Sequence, residues 1–598
     1  MGAQRAGAPL LTGSVPPLAP FYHARQETGF GLADGLRAGE TTLLVPATLG
    51  TGGTGKTQLA LGFAHTMWSE RAVDLLAWVP AGNRGAIVAG YARAAADLEL
   101  LTPEERAAST AGERAERFLG WLGRTGQRWA VVLDGVASAA DIEGLWPRGA
   151  NGQVVVTSRL RESELSGQGT GVTAHAVGGF SRREALAYLN GRLTGFPDQR
   201  IEALDLAEDL GGLPIALAQA AAVVTVKEIT CRDYRAEHGQ RLHATAGTVV
   251  DGCPPILLAT WTLAVEQANE LPPAKLSWPA LVLASVLDTG GIPGTVLTSP
   301  AACAYITGQA GREAAPSPEQ NQVRAAYANL DRLGLLSVDR GSTIRTVWLH
   351  PAVRAAVRAY LAPGSVEQVV TTAAAALVEA WPQPGTPASS PQLSLALRDC
   401  AAALHAFAGE LLWKPDAHPV LLRAGSSLSE VPALTESAVE YWRALSAATS
   451  QQLGYGHAQS VLARERLADA YVQDGRIAEA LPVLEAALAD REAALGPQHP
   501  DTAMARLLVA HSLGAAGRES EAIKQYEQAA VARERMLGPG HRDTLAVRLE
   551  LATAYYEAGR MSDGVKVLRR ALADCERYLG ADHPMTTTVR DNLRAATE

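Results

Sequence analysis

The stretch that decides the fold of the N-terminal part of the chain is GTGGTGKT, residues Gly50–Thr57, which fits the pattern G-x-x-x-x-G-K-[S/T]. A β-rich run, Thr41–Val45, precedes it, and a run of helical character, Gln58–Ser69, follows it. The 598 residues include only six lysines, so a chance match to a pattern that requires lysine is rare. Strand, glycine-rich loop and helix in this order predict a phosphate-binding loop rather than a plain surface loop.

Each residue type in this loop has a chemical reason to be there. Glycines let successive backbone N–H groups turn inward around a phosphate, at a helix N-terminus that attracts anions. We expect the Lys56 ammonium group to reach the β- and γ-phosphates and the Thr57 hydroxyl to bind Mg²⁺. The residues of this segment expected to bind the nucleotide are Gly50, Gly52, Gly53, Thr54, Gly55, Lys56, Thr57 and Gln58.

A second apolar run, Trp129–Leu133, ends in Asp134 and is followed by Gly135. An aspartate at a strand end is, taken alone, most often a turn residue. Downstream of a phosphate-binding loop, however, the end of a buried strand is where such proteins carry a carboxylate that helps to hold Mg²⁺. We therefore expect Asp134 to be a metal-binding and catalytic residue.

A further apolar strand, Gln153–Thr157, is followed by Ser158 and Arg159. An arginine at this position can reach a γ-phosphate, which makes Arg159 a second catalytic candidate; the alternative is a solvated charge at a strand end. Two more candidate strands are Leu75–Val79 and Gly171–Val177. The five strands alternate with helices and predict an α/β domain with a parallel sheet covered on both faces.

Helix starts support this alternation. Ser181 and Glu184 fit a capping box, and Thr102-Pro103 with Glu105 fits a capped helix start that carries proline in the first turn. Each start follows or precedes a candidate strand, as an α/β domain requires.

The C-terminal third repeats itself. His457, His499, His541 and His583 are 42 residues apart, and each follows a Leu-Gly pair by the same distance. Between them the sequence predicts helical hairpins, for example Ala458–Gln473 and Ile477–Ala494. One such hairpin cannot bury its apolar face alone, so neighbours must stack into a solenoid.

The periodic histidines have two interpretations, a metal site or a structural role at the start of each helix with packing between hairpins. Successive copies would lie about 10 Å apart, the diameter of a packed helix, so they cannot share an ion. The structural interpretation is favoured. The unit resembles the 42-residue tetratricopeptide repeat of the kinesin-light-chain type over Leu453–Glu598, with a degenerate earlier unit at His418–Gln452.

The chain upstream of the repeats resembles the NB-ARC class of STAND nucleotide-binding switches, in particular bacterial ones with tetratricopeptide repeats. The resemblance rests on motifs in order: Phe21–Glu27, the GTGGTGKTQLAL loop, Trp78–Ala81, VVLDG, VVVTSR, Gly212–Leu217 and Leu349-His350. It implies that the chain binds ATP or ADP with Mg²⁺. It also implies that the segment with Arg25 lies along the adenine, that Pro214 faces the base and that His350 contacts the ADP phosphate.

Two positions depart from the family pattern. Gly135 stands where the family usually has a second acid or amide after the aspartate, which puts efficient hydrolysis in doubt. Pro351 replaces the aspartate that usually follows the histidine, so a core-packing role for His350 is an open alternative.

The sequence therefore predicts an α/β P-loop domain, helical and winged-helix-like domains and an all-α solenoid of tetratricopeptide repeats. The winged-helix-like domain should contain a β-wing at Leu335–Trp348 and a last helix at Pro351–Leu361. That helix carries only Arg354 and Arg358 in a chain of net charge −9, which favours packing over DNA binding. The predicted segments are 1–20 (flexible N-terminus), 21–180 (P-loop domain), 181–245 (helical), 246–362 (winged-helix-like), 363–417 (helical linker) and 418–598 (solenoid).

The composition indicates the cellular compartment in which the protein is expected to function. The five cysteines are scattered and form no CxxC pair, which favours a reducing compartment. The N-terminus has no apolar leader, and the uncharged run Leu210–Val226 is a better core helix than a membrane span. We expect a cytoplasmic protein that binds a protein or peptide partner through its repeats, with possible self-association that depends on the nucleotide.

Three functions fit these observations. The first is a switch in which a ligand at the repeats gates exchange of ADP for ATP. The second is a scaffold in which the nucleotide only stabilises the core. The third is a slow ATPase whose base comes from Glu143 or from a neighbouring subunit.

Overall fold

The computed structural model divides into two compact units, Met1–Leu412 and Trp413–Glu598. Gly50 lies outside the described residues, as do Gln26, Glu27 and Pro103 of the predicted motifs. The structure describes residues 9–19, 21–25, 41–47, 52–102, 105, 109–165, 172–195, 197–245, 247–250, 253–288, 290–309, 319–383 and 390–597.

A six-stranded parallel sheet forms the first part of unit one, and it contains all five predicted strands. In spatial order the strands are β1 (Leu10–Thr12), β3 (Leu75–Pro80), β4 (Trp129–Val136), β5 (Gly152–Ser158), β2 (Thr41–Pro46) and β6 (Val172–Val177). The helices that accompany them are α1 (Lys56–Ser69), α2 (Arg84–Asp97), α3 (Ala111–Leu122), α4 (Ala139–Ile142) and α5 (Glu162–Leu165).

Strand residues alternate between two apolar cores, one on each face of the sheet, because successive side chains of a strand point to opposite faces. Leu43 and Val45 of β2 belong to the same core as Phe118 of α3. Leu44, which lies between them in sequence, packs in the other core with Phe63 of α1. Both faces are therefore covered, as in other parallel sheets, and this confirms the predicted fold class.

The N-terminal segment takes part in this sheet, which differs from the flexible N-terminus predicted for residues 1–20. Leu10–Thr12 pairs in parallel with Leu75–Ala77 of β3 as an edge strand. The Thr12 hydroxyl also donates to Asp97 Oδ2 of α2 at 2.5 Å. Sequence patterns did not indicate this strand because three residues are too few to establish a periodicity.

Four helices follow the sheet: α6 (Arg182–Arg192), α7 (Ala203–Asp209), α8 (Pro214–Lys227) and α9 (Cys231–Ala244). The predicted capping box of Ser181 and Glu184 begins α6, and Thr102 and Glu105 exchange the hydrogen bonds of the other predicted cap. Eight of the 14 residues of α8 are buried, so the apolar run is a core helix as predicted. Among the described residues, no single helix is long and apolar enough to cross a membrane.

The next segment has the predicted wing and last helix. β7 (Ser337–Val338) and β8 (Val347–Trp348) pair antiparallel. The helices of this segment and of the one that follows it are α10 (Pro255–Glu270), α11 (Ser277–Ser285), α12 (Gly294–Leu297), α13 (Pro300–Gln309), α14 (Glu319–Arg332), α15 (Pro351–Ala359), α16 (Val366–Ala380) and α17 (Pro391–Ala408).

The two arginines of α15 pack against the protein. Arg354 Nε and Arg358 Nε donate to the Ser285 carbonyl at 3.1 and 2.8 Å. The Arg358 guanidinium also lies 4.3 Å from the ring centroid of Phe407. These contacts support the packing role that the sequence favours for this helix.

Unit two is built from helical hairpins. The predicted helix Ala458–Gln473 is observed with these bounds, and its partner runs one residue further than predicted, to Leu495. The helices are α18 (Pro419–Ser429), α19 (Thr435–Leu453), α20 (Ala458–Gln473), α21 (Ile477–Leu495), α22 (Pro500–Ala515), α23 (Glu519–Leu537), α24 (Arg542–Glu557), α25 (Met561–Tyr578) and α26 (Pro584–Ala595).

The periodic histidines cap the first helix of each hairpin. In each of the four, Nδ1 accepts the N–H of the residue two positions later, at 3.2 or 3.3 Å. His418 makes the same contact with Val420 at 3.2 Å, so the degenerate unit begins in the same way. The side chains are less buried than packing between hairpins predicts, since those of His499 and His541 are 39% and 44% exposed. A capping imidazole must remain at the helix end, where solvent reaches it.

Arginines with the same 42-residue spacing join successive repeats. Each arginine lies on the first helix of a hairpin and pairs with a glutamate near the end of the preceding helix. The pairs are Arg506–Glu492, Arg548–Glu534 and Arg590–Glu576, with N···O distances of 2.5, 2.9 and 3.0 Å. The repeat is therefore visible in ion pairs between helices as well as in helix caps.

Gly152 is a tight point of the sheet, because a Cβ there would lie 1.9 Å from Cζ2 of the buried Trp129 ring. We expect Gly152→Ala to destabilise unit one by about 1–3 kcal/mol or more, since the indole has to move. Gly191→Ala is the matched control. It lies in α6 with no atom within 4 Å of the added carbon, and it should stabilise by up to about 1 kcal/mol. Calorimetric unfolding measures both; effects of the same sign would contradict this account.

Candidate nucleotide-binding site

The predicted functional residues meet at the carboxyl edge of the sheet. The phosphate-binding loop follows β2, Asp134 lies near the end of β4, and Arg159 follows β5. β5 pairs with both β2 and β4, so the three strand ends are neighbours. This edge of an open parallel sheet is where ligands bind in such folds.

Two glycines of the loop are required by its backbone. Gly53 and Gly55 have φ values of 78° and 88°, a left-handed conformation that other residues rarely adopt. A Cβ on Gly53 would lie 2.5 Å from Cγ2 of Ile215. Gly55 is the N-cap of α1, so the backbone N–H groups of the first turn are available to an anion.

Lys56 is held in a strongly positive environment. Its Nζ donates to Thr54 Oγ1 at 3.3 Å. Burial, and to a lesser extent the nearby charges of Arg159 and Arg25, together lower the pKa of Lys56 to about 8, against the opposing charge of Asp134. A bound phosphate would favour the charged form of this ammonium group.

Asp134 and Thr57 form the pair expected to hold Mg²⁺. Thr57 Oγ1 donates to Asp134 Oδ1 at 2.8 Å. Thr157 Oγ1 donates to the same oxygen at 2.6 Å. Burial raises the pKa of Asp134, and the hydrogen bonds from Thr157 and Thr57 and the charge of Lys56 oppose this.

This donor set fits magnesium. A hydroxyl and a carboxylate are hard oxygen ligands, and Mg²⁺ in nucleotide sites takes one or two carboxylates together with phosphate oxygens and water. Within the described residues, no cluster of three or more His, Cys, Asp or Glu could hold a metal by itself. A metal at Thr57 and Asp134 would therefore depend on the phosphates of a nucleotide.

Gly135 has a backbone reason to be glycine. It lies in an irregularity of the β4–β5 pairing between Leu133 and Val136, with φ 84°. Its N–H donates to Thr157 Oγ1 at 2.8 Å. Among the described residues, Asp134 is the one carboxylate whose charge contributes to the pKa shift of Lys56.

Glu143, the alternative base considered from sequence, is exposed. Its backbone carbonyl accepts a hydrogen bond from Arg84 Nη1 at 2.7 Å. This contact fixes the backbone of Glu143 and leaves its carboxylate in solvent.

The Gly-Leu-Pro segment lies directly against the phosphate-binding loop. A Cβ on Gly55 would be 3.7 Å from Cγ of Pro214, and Ile215 covers Gly53 as described above. The start of α8 thus lies beside the loop, next to where a nucleotide would sit. The expectation that Pro214 faces the base stays a prediction.

Two residues that are expected to bind the nucleotide make hydrogen bonds with the protein through their side chains. Arg25 is buried and donates from Nη1 to Gly178 O at 2.9 Å and from Nη2 to Thr54 O. Its guanidinium also lies 5.0 Å from the centroid of the Phe180 ring. Gln58 Oε1 accepts the N–H of Ala19 at 2.8 Å. In this arrangement both residues position the loop, and direct contact with a nucleotide stays a prediction.

His350 approaches the same site from another segment. It is the N-cap of α15, and its Nδ1 accepts the N–H of Ala352 at 3.1 Å. His350 is exposed to solvent, and partial desolvation by the surrounding protein, together with the charges of Arg159 and Lys56, lowers its pKa. Because Nδ1 accepts a hydrogen bond, the neutral ring carries its proton on Nε2. That proton is available to a phosphate oxygen.

The sequence did not indicate Thr157 or Ile215 as site residues. Thr157 lies two positions before Arg159 within a run that reads as an ordinary buried strand, and Ile215 directly follows Pro214 in the Gly-Leu-Pro segment. A hydroxyl at the end of a strand beside Asp134 is the signal that could have identified Thr157.

Family models of the tetratricopeptide repeat match residues 459–535 and 544–584. The repeats predicted from the 42-residue period are therefore tetratricopeptide repeats. The parallel sheet, the order of the motifs along it and these repeats agree with the resemblance to STAND-type proteins with such repeats that the sequence indicates.

Among curated relatives, the regulatory protein AfsR of Streptomyces griseus is 31% identical over 228 residues, which cover 36% of this chain and 22% of AfsR. AfsR of Streptomyces coelicolor is 30% identical over 240 residues, which cover 37% of this chain and 22% of that protein. The chain thus spans about a fifth of the length of these relatives. A solved STAND protein with a tetratricopeptide repeat sensor from Pyrococcus horikoshii has a TM-score of 0.48 and 15% identity, over 98% of this chain and 81% of that one.

The lowered pKa of Lys56 predicts how phosphate binding depends on pH. A bound phosphate raises this pKa above about 8, so below pH 8 the lysine is charged in both the free and the bound state and the affinity is flat. Above pH 8 the free chain must take up a proton to bind, and the affinity should fall by up to about tenfold per pH unit. Titrations with ADP in EDTA from pH 7 to 9.5 measure this dependence.

The control is Lys56→Arg, which keeps its positive charge throughout this range. Its affinity for ADP should be independent of pH above 8, whatever its absolute value. A wild-type affinity that is flat up to pH 9.5 would contradict the assignment of Lys56 as the phosphate ligand.

Proposed function

We propose that the chain is a nucleotide-dependent switch of signal transduction, in which ADP holds unit one closed and a partner at the repeats permits exchange for ATP. The observation that carries this proposal is the convergence of three separate segments on one phosphate-binding loop. Lys56 and Asp134 come from the sheet domain, Pro214 and Ile215 from the helical segment, and His350 from the end of the wing. A ligand in contact with all three would couple its own binding to their arrangement.

Each group has a defined part in holding the nucleotide. Lys56 and the N–H groups at the start of α1 bind the phosphates, and Thr57 and Asp134 hold Mg²⁺, which neutralises phosphate charge when it is bound. The neutral imidazole of His350 donates from Nε2 and needs no proton from solvent. Arg159 is exposed at the end of β5, and in this proposal it distinguishes ATP from ADP by a contact with the third phosphate.

The repeats are the expected site of the signal. Tetratricopeptide repeats stack into an extended surface that is suited to a protein or peptide partner. The curated relatives carry the name regulatory protein, which agrees with a regulatory role here. Binding of a protein or peptide partner at the repeats, and self-association that depends on the nucleotide, are part of the proposal and are supported by the presence of the tetratricopeptide repeats.

A slow ATPase is the second candidate, because Thr57 and Asp134 form a metal-binding pair. Against efficient turnover, Gly135 offers no side chain and the exposed carboxylate of Glu143 lies in solvent. The switch therefore agrees better with the described residues than an enzyme that turns over rapidly does. The scaffold hypothesis is distinguished from the switch by the response to Arg159 substitution below.

The proposed function predicts that the purified chain releases a stoichiometric amount of ADP on heat denaturation, measured by ion-exchange chromatography.

Lys56→Ala should weaken nucleotide binding by at least about 100-fold, since a charge-assisted contact to phosphate is lost in a buried site. Lys524→Ala, which removes an exposed lysine of α23, is the control and should bind as the wild type does. Wild-type affinity in Lys56→Ala would refute the site.

Arg159→Ala tests whether the chain distinguishes its nucleotides. We expect ATP affinity to fall by about tenfold or more, because a charge-assisted hydrogen bond is lost, while ADP affinity changes by less than about threefold. Arg161→Ala, an exposed arginine two residues further on, should affect neither. Equal losses for ATP and ADP would remove Arg159 as the reader of the third phosphate and favour the scaffold.

A further inference from the structure

Thr157 has both hydrogen-bonding functions of its hydroxyl engaged at the metal side of the site. Its side chain is buried at the end of β5, with 2% of the residue exposed. The hydroxyl donates to Asp134 Oδ1 at 2.6 Å and accepts the Gly135 N–H at 2.8 Å. One hydroxyl therefore holds the carboxylate and the backbone bulge that follows it.

Ser158, the next residue along β5, holds the residue that follows Gly135. Ser158 Oγ donates to the Val136 carbonyl at 2.8 Å and accepts the Leu160 N–H at 3.0 Å. The end of β5 thus secures the irregular part of β4 on both sides of Gly135. Arg159 follows directly, so the segment that donates a hydrogen bond to Asp134 also carries the proposed reader of the third phosphate.

Thr57 and Thr157 donate to the same oxygen but differ in what they can add. Thr57 Oγ1 donates to Asp134 and keeps lone pairs that are free to bind a metal. Thr157 Oγ1 already accepts the Gly135 N–H, and its strand position fixes it in the interior. Its contribution to a metal is therefore indirect, through the orientation of Asp134.

We propose that Thr157 is a positioning residue that orients the Asp134 carboxylate for the Mg²⁺ of a bound nucleotide and joins it to the strand that carries Arg159. The inference rests on the proposed function, because it assumes that the site binds a nucleotide with magnesium. It assigns a role to a hydroxyl that lies within the VVVTSR motif but was not among the predicted site residues. The role is specific to the metal, so nucleotide binding without metal should not need it.

The test compares the affinity for ADP in EDTA with that in excess Mg²⁺, by calorimetric titration of the full chain. In the wild type, Mg²⁺ should raise the affinity. Thr157→Val keeps the shape of the side chain and removes the hydroxyl. It should reduce the gain from Mg²⁺ by about tenfold or more, the usual effect of losing a partner of a metal ligand, and leave affinity in EDTA within about threefold of wild type.

Two variants separate positioning from a general loss of packing. Thr157→Ser restores the hydroxyl and should recover most of the magnesium effect. Ser158→Ala removes the adjacent buried hydroxyl, which does not contact Asp134, and should keep the full magnesium effect even if its melting temperature falls as far as that of Thr157→Val.

The outcomes are distinct. A Thr157→Val chain that keeps the wild-type gain from Mg²⁺ overturns the positioning role while the proposed function stands. Equal losses with and without Mg²⁺, or equal losses in Ser158→Ala, overturn it as well, since they indicate a structural effect. A wild-type chain that binds no nucleotide refutes the proposed function itself. If Thr157→Val does not fold, Thr157→Ser decides, because full recovery of folding without the magnesium effect would also contradict the proposal.

Discussion

The unbalanced positive charge around Lys56 is the constraint on which the rest of the site depends. Arg159 and Arg25 both act on this ammonium group, and Asp134 alone opposes them among the charges that shift its pKa. Burial adds to the effect, so the folded chain holds a cation where its charged form is disfavoured. An anion removes this penalty, and a ligand that binds only the folded state stabilises it by mass action. In the proposed function, an anion completes the arrangement that the glycines of the loop, the turn of α1 and the neutral His350 form.

This constraint also explains why parts of unit one that are distant in sequence meet at the loop. His350 lies nearly 300 residues after Lys56, yet the two side chains are close enough for the charge of Lys56 to lower the pKa of His350. An unprotonated imidazole avoids adding a further positive charge to the group. Its Nδ1 is occupied by the backbone of α15, so the helix start and the tautomer are set by one hydrogen bond. Pro351 suits this role, because proline is favoured in the first turn of a helix.

Most of the fold could be predicted from sequence because its signals are local and strong. The five strands are apolar runs between turn residues, and the fixed 42-residue period identifies the repeats. β1 could not be predicted, because Leu10–Thr12 is a strand only through its pairing with β3. The exposure of His499 was also missed, since a 42-residue period locates a residue along the chain without indicating how deeply it is buried.

The site was predictable to the extent that the chemistry of its residues is specific. Lysine in a glycine-rich loop and aspartate after an apolar strand have few other uses in this order, and the structure brings Lys56 and Asp134 together. Arg25 shows the limit of such reasoning. A motif can place an arginine near a nucleotide, but whether its guanidinium binds the ligand or two backbone carbonyls depends on loops that are distant in sequence, here those of Thr54 and Gly178. The sequence did not identify Thr157 as a site residue for the same reason, because its hydrogen bond to Asp134 joins two strands that are distant in sequence.

The bulge at Gly135 connects this geometry with the way in which such a switch would be reset. Gly135 has φ 84°, a left-handed conformation that glycine adopts most readily, and it carries no side chain that could act as a base beside Asp134. Among the described residues, Asp134 is the one carboxylate whose charge acts on Lys56, so we expect the ATP-bound state of the proposed switch to end mainly by dissociation. Its lifetime would then depend on how closely Pro214 and Ile215 approach the loop and on the nearness of His350 to Lys56. A signal that shifts the segments of unit one by a small amount would thus act directly on the lifetime of the bound state.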